Sequence, residues 1–222
     1  MGSGRARGRR VHRARLIGAV ATLAALVALT QVPLTSAAFT ARTSTPSSSF
    51  TAANSFCTAP GSITRNLIND TWANQNDPTR NYGGDTHLNV IARAGQRGRV
   101  FIRPDLPTIP ARCRLTSAIL TLDEHGIAAR TLDIYRVDEA WDVGTLNWNN
   151  QPTVTGTPVS GIPTAVIWEI DVRALIQDLY DSGTNHGLMI QDRTENTATF
   201  FENRFHSLDD ADEKPYIVYT YA

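Results

Sequence analysis

Three arginines, Arg93, Arg99 and Arg103, crowd a short stretch that also holds Asn89 and Phe101. A guanidinium can grip a carboxylate or sulfate through paired N–H donors, and an aromatic face beside it offers a stacking surface. Arg80 and Tyr82, slightly upstream, repeat the combination of cation and ring. For proton-transfer chemistry the nominees are the pairs Asp123-Glu124, Asp138-Glu139 and Asp209-Asp210. Neighbours on a strand face opposite ways, so adjacency does not build the spaced carboxyls that glycosidic cleavage uses. The histidines, His12, His87, His125, His186 and His206, are scattered without metal-ligand spacing. The metalloprotease HExxH, the GxSxG elbow, the Walker loop and the dinucleotide fingerprint are all absent. The residues therefore predict a binding protein with no catalytic group and no cofactor. Asp70, Asp77 and Asp85 flank a glycine-rich turn and leave room for a structural Ca²⁺, which takes oxygen ligands.

The elements that must position these side chains read as strands. THLNVIAR and RVFIRPDL alternate on either side of AGQRG, which predicts a hairpin. SAILTLDEHG, TLDIYRVDEAW, AVIWEIDV, HGLMIQD, ATFFENRF and PYIVYTY follow, separated by Gly, Pro, Asn and Asp. Short strands between turn signals predict an all-β sandwich or barrel. One helix stands out after Ile170. Asp171 can cap it, Leu175, Ile176, Leu179 and Tyr180 share a face, and Gly183 can end it. Trp168, in phase with Val166 and Ile170, reads as core, whereas Trp148 sits in a turn that closes one end.

Charge is distributed in a way the zero net value hides. Six of the 21 basic residues fall between Arg5 and Arg15, so residues 39–222 carry 15 basic against 21 acidic side chains. Nucleic-acid binding, which needs a basic footprint, is excluded as an expectation. The arginines precede an apolar stretch from Leu16 to Leu34 and the small residues Thr35 to Ala38. That order predicts a secretory signal over residues 1–38, cleaved after Ala37 or Ala38, with no permanent membrane span. A Ser/Thr-rich linker over 39–64 and a folded domain over 65–222 complete the plan. Export places the only two cysteines, Cys57 and Cys113, in an oxidising compartment, which predicts a disulfide between them.

The stretches DPTRNYGG, RVFIRPDLPTIPARCRLTSAILTL, IYRVDEAWDVGTLNWNNQP, WEIDVRALIQDLYDSGTNHGLMI, FFENRFHS and KPYIVYTY resemble, in that order, the DNRLRE domain. That domain is related to archaeal disaggregatase and classed with carbohydrate-binding module family 96. The resemblance covers about Asp70 to Tyr221 and is most specific at WNNQP. It implies a jelly-roll β-sandwich in a secreted or surface protein that binds a polysaccharide or cell-wall glycan. A structural module gripping a protein partner, or an enzyme acting on surface glycans, are the alternatives. Pro104 departs from the family pattern, where Phe is usual.

Joined to the residue reading, this predicts where the ligand sits. If AGQRG is the turn, Arg93 lies opposite Arg99, Ile91 opposite Phe101 and Asn89 opposite Arg103. Leu88, Val90, Ala92, Val100, Ile102 and Pro104 then share the core face. The other face gathers three arginines around an exposed Phe101, suited to a carboxylated or sulfated sugar, with Arg80 and Tyr82 as the next candidates.

Overall fold

Between Leu115 and Gly126, Ala118, Leu120 and Leu122 are buried while Ser117, Ile119 and Asp123 are more open. A period of two with one face on a core is what makes this segment a strand, and the same logic builds most of the chain. A computed structural model describes residues 56–222 except residue 165. The expected signal segment, its cleavage point and the linker up to residue 55 lie outside the described residues.

The strands are β1 (Gly61–Asn74), β2 (His87–Ala92), β3 (Gly98–Pro104), β4 (Leu115–Gly126), β5 (Leu132–Val137), β6 (Val154–Gly161), β7 (Ile167–Asp171), β8 (Leu188–Asp192), β9 (Phe201–His206) and β10 (Tyr216–Tyr221). Among the described residues one helix, α1 (Arg173–Ser182), and a single 3-10 turn at Trp148–Asn150 complete the elements. One sheet runs β1–β10–β4–β7, every pair antiparallel. The other runs β1–β3–β8–β5–β6. It is joined at the pair Ile91–Gly98 by β2, which continues through β9 to the far end of β4. Strands β1 and β4 serve both sheets. β1 pairs with β10 from Gly61 to Asn66, then with β3 from Leu67 to Asn74, with a bulge between Leu67 and Asn69. The fold is a β-sandwich with one short helix.

Its main core collects Leu88, Val90, Val100, Ile102, Leu120 and Leu122 with Trp168, Phe205 and Tyr219. Trp168 stacks on Phe205 with ring centroids 5.7 Å apart, the core role its alternation predicts. Helix α1 sends Leu175, Ile176 and Leu179 into the same core. Asp171 accepts the Arg173 N–H at 2.8 Å just ahead of the helix, and Gly183 ends it with φ 66°. Only a residue without a β-carbon adopts that left-handed turn cheaply.

Cys57 and Cys113 form the expected disulfide, with Cα atoms 4.2 Å apart. Thr58 reinforces the junction, donating from its backbone and its hydroxyl to the carbonyl of Ala111. β1 begins at Gly61, inside the stretch that reads as linker, because its exposed first half is an edge and shows no alternation. β6 is likewise invisible in sequence: it is an edge strand, mostly open, carrying Gly156 at φ 82° and Pro158.

The β2–β3 hairpin departs from the expected register. Only Ile91 and Gly98 pair across it. Beyond that point β3 is flanked by β1 and β8, while β2 turns to β9. Arg93 is therefore not opposite Arg99, nor Ile91 opposite Phe101, nor Asn89 opposite Arg103. The alternation itself holds, since Leu88, Val90, Val100 and Ile102 all face the main core.

Candidate functional site

Phe101 does alternate away from the main core, yet it is fully buried. The face it points to is covered by the β5–β6 connection, residues 138–153. That connection brings Trp141 and Leu146 against Phe101, Ala73, Val137 and Met189 in a second apolar cluster. The expectation of an exposed stacking ring is corrected: a sheet covered on both faces leaves no ring for a sugar.

The arginines are correspondingly occupied. Arg99 binds both carboxylate oxygens of Glu195, each at 2.7 Å, donates to Gln151 at 3.0 Å, and lies over the Trp148 ring at 4.9 Å. Arg103 donates to the Trp141 carbonyl at 2.6 Å and covers that ring at 4.6 Å. Burial pushes the Arg103 guanidinium below its ordinary value, and Asp142 opposes the shift. Arg93 is exposed and meets Gln96 at 3.2 Å. No common stripe results.

Upstream, the loop between β1 and β2 is organised by its own side chains. Tyr82 is buried against Trp72 with ring centroids 4.1 Å apart, and its hydroxyl donates to Asp77 at 3.1 Å. Arg80 lies over Tyr82 at 4.6 Å and is itself exposed. Asn81 donates to the carbonyls of Val143 and Leu146, which docks this loop on the β5–β6 connection. Gly83 is required there, because a β-carbon would lie 2.3 Å from the Val143 carbonyl oxygen. Trp72 donates to Asp85 at 3.2 Å and so fixes a carboxylate at the loop's end.

Asp85 opens onto a groove of about 480 Å³ lined by Gly84, Asp85, Thr86, His87, Asn89 and Arg204. Its walls are mostly polar. Arg204 donates to the Asn89 amide oxygen at 3.2 Å and to Glu202 at 3.2 Å, so the guanidinium and the amide stand side by side. Thr86 and His87 Nδ1 are 2.9 Å apart. The groove thus sets a carboxylate, a hydroxyl, an imidazole, an amide and a guanidinium around one space. A second cavity, about 420 Å³, has Trp141, Asp142, Thr145, Leu146 and Asn150 among its walls. Its aromatic ring is already covered by Arg103.

Of the residues that sequence nominates for the glycan, only Asn89 lines the polar groove. Asp85 and His87 stand out in sequence only as a calcium candidate and as a scattered histidine, and Arg204 and Thr86 carry no sequence signal at all. Arg204 reaches the groove because β9 pairs with β2 in the register Asn89–Arg204 and His87–His206. Those strands are more than a hundred residues apart, and no local spacing announces their contact.

The same register gathers histidines that look scattered in sequence. The rings of His87, His125 and His206 have centroids 4.6, 5.5 and 5.4 Å apart. His206 Nδ1 is 3.1 Å from Asp210, and its Nε2 is 3.3 Å from Glu213. Burial first, then the charges of His125, Arg204 and His206, push His87 below the ordinary histidine value, and Asp210 pulls the other way. Among the described residues no three His, Cys, Asp or Glu side chains are arranged to hold a metal ion. Asp70, Asp77 and Asp85 are each engaged by protein donors: Ser207 and Leu208, Tyr82, and Trp72 respectively.

Two carboxyls stand apart electrostatically. Glu124, buried opposite Phe205, has no partner for either oxygen, and burial raises its pKa to about 7. Burial raises Asp70 to about 6 despite its two hydrogen bonds. Neither lines the groove.

The family model of carbohydrate-binding module family 96 matches residues 62–221, from the second residue of β1 to the last of β10. No curated protein matches the chain.

Proposed function

The chain belongs to carbohydrate-binding module family 96, and on that premise we propose that it is a secreted, non-catalytic module holding a polysaccharide in the Asp85–His87–Asn89–Arg204 groove. The observation that carries this reading is the lining itself. Sugar hydroxyls both donate and accept, and adjacent hydroxyls are met best by planar groups that do the same. Asn89 supplies both kinds of atom, Asp85 accepts, and Arg204 donates in a fixed fork. Two of these groups are already held in place by neighbours, Asp85 by Trp72 and Arg204 by Asn89 and Glu202. Pre-organised polar groups lose less entropy when a ligand arrives. Exposed Arg93 and Arg80, resting on Gln96 and Tyr82, can add outlying contacts to a charged sugar.

The disulfide supports an extracellular setting, since such bonds persist in oxidising compartments. No helix among the described residues is long and apolar enough to cross a membrane. Exposed Ile162, Val166 and Ile167, beside the open edge of β7, favour a second reading in which a protein partner docks there.

Retention of the purified secreted chain on a panel of immobilised polysaccharides tests the proposal. At least one polymer is expected to retain the parent and to release Arg204→Ala. Equal retention of both would place the site elsewhere.

A further inference from the structure

The groove has an imidazole in its wall, and that imidazole belongs to a trio. His87 sits on β2, His206 on the paired β9, and His125 at the bulge where β4 meets β9. Their rings tilt toward one another at 57° and 41°, and edge-on at 87°. His206 lies between two carboxylates, Asp210 and Glu213. Arg204 stands on the groove side of the trio and contributes a fixed positive charge.

We propose that a single proton on His87 switches the groove, so that the glycan is held with the ring neutral and released when the ring is charged. This inference rests on reading the groove as the glycan site. With Nδ1–H donating to the Thr86 hydroxyl at 2.9 Å, the neutral ring keeps Nε2 as its one acceptor. The added proton removes the only acceptor of His87 and sets a second cation beside Arg204. A sugar hydroxyl that donated to the ring then faces a donor, and a formed hydrogen bond becomes an unmet one.

The charged surroundings decide when this happens. On β2 and its preceding loop stand His87 and Asp85; on β4, His125; on β9, Glu202, Arg204 and His206. The segment after β9 adds Asp209, Asp210, Asp212, Glu213 and Lys214. Glu202 is taken up by Arg204, and Asp85 by Trp72. Asp210 accepts the backbone N–H groups of Asp212 and Glu213 and faces His206, which hold its carboxyl well below the usual range. His125, Arg204 and His206 thus oppose the charging of His87, and Asp210 favours it. The ring therefore stays neutral at neutral pH and takes its proton only below the ordinary histidine value.

The test follows affinity for a retained neutral polysaccharide from pH 7.5 to pH 5, alongside the ring-proton NMR titration of His87 without ligand. Affinity is expected to fall roughly tenfold over that range, the scale of one lost hydrogen bond. His125→Asn, outside the groove, is expected to move the His87 midpoint and the loss of affinity upward together. Affinity that is flat or rises on acidification overturns the switch. If no polysaccharide binds at any pH, the glycan reading fails and the ligand-free titration decides alone. A His87 midpoint unmoved by His125→Asn overturns the coupling, and an upward shift upholds it.

Discussion

Arg99 and Glu195 are joined by two parallel hydrogen bonds of 2.7 Å, with the guanidinium lying over Trp148. The arginine that sequence nominates for an acidic ligand has already found its carboxylate, on the loop after β8. Its partner is 10 % exposed, so the bridge is largely out of water and less screened than a surface pair.

Breaking that bridge therefore acts on stability. Glu195→Ala leaves Arg99 partly buried without its counter-ion and is expected to cost about 1–3 kcal/mol. Arg99→Ala should lower Tm comparably while leaving polysaccharide affinity within about twofold. Thermal denaturation beside binding isotherms checks both halves.

Phe101→Ala should be more damaging than any arginine substitution. The ring fills the second cluster against Trp141 and Met189, and its removal is expected to cost about 3–5 kcal/mol. An exposed stacking residue would lose affinity with no change in stability. Denaturant unfolding separates these outcomes.

These two residues also show what the sequence could and could not disclose. Alternation along β2 and β3 placed Leu88, Val90, Val100 and Ile102 on the core side, as found. It could not disclose that the opposite face is covered, because that depends on where the 138–153 connection folds back. Strand period identifies two faces, and only tertiary packing says whether either is wet. The helix, the disulfide and the core role of Trp168 were legible because each rests on local or compositional signals. The groove was not, since it joins β2 to β9 across the chain and uses ordinary polar residues at each end.

The disulfide ties the segment before β1 to the turn before β4. Replacing both Cys57 and Cys113 with Ser is expected to lose about 2–4 kcal/mol, because a long loop in the unfolded chain is no longer closed. Equilibrium unfolding of the double variant against the oxidised parent gives the difference directly.

Stability should also depend on pH through Glu124. Its folded-state pKa of about 7 lies above the ordinary 4.5, so the folded state binds the extra proton. Its contribution is fully present below the ordinary value and is lost as pH rises through about 7. Asp70, raised to about 6, acts in the same direction. Glu124→Gln is expected to raise stability by about 1–2 kcal/mol at pH 8 and to leave it nearly unchanged at pH 4. Thermal melts at the two pH values measure the difference.

The most direct measurement is calorimetric titration of the purified protein with a polysaccharide that it retains, comparing the parent with Asn89→Ala, Arg204→Ala and Arg99→Ala. If the polar groove is the glycan site, the first two variants lose tenfold or more in affinity with melting curves close to the parent's, and Arg99→Ala binds as the parent does. Undiminished binding by both groove variants, or loss confined to Arg99→Ala, would contradict the assignment.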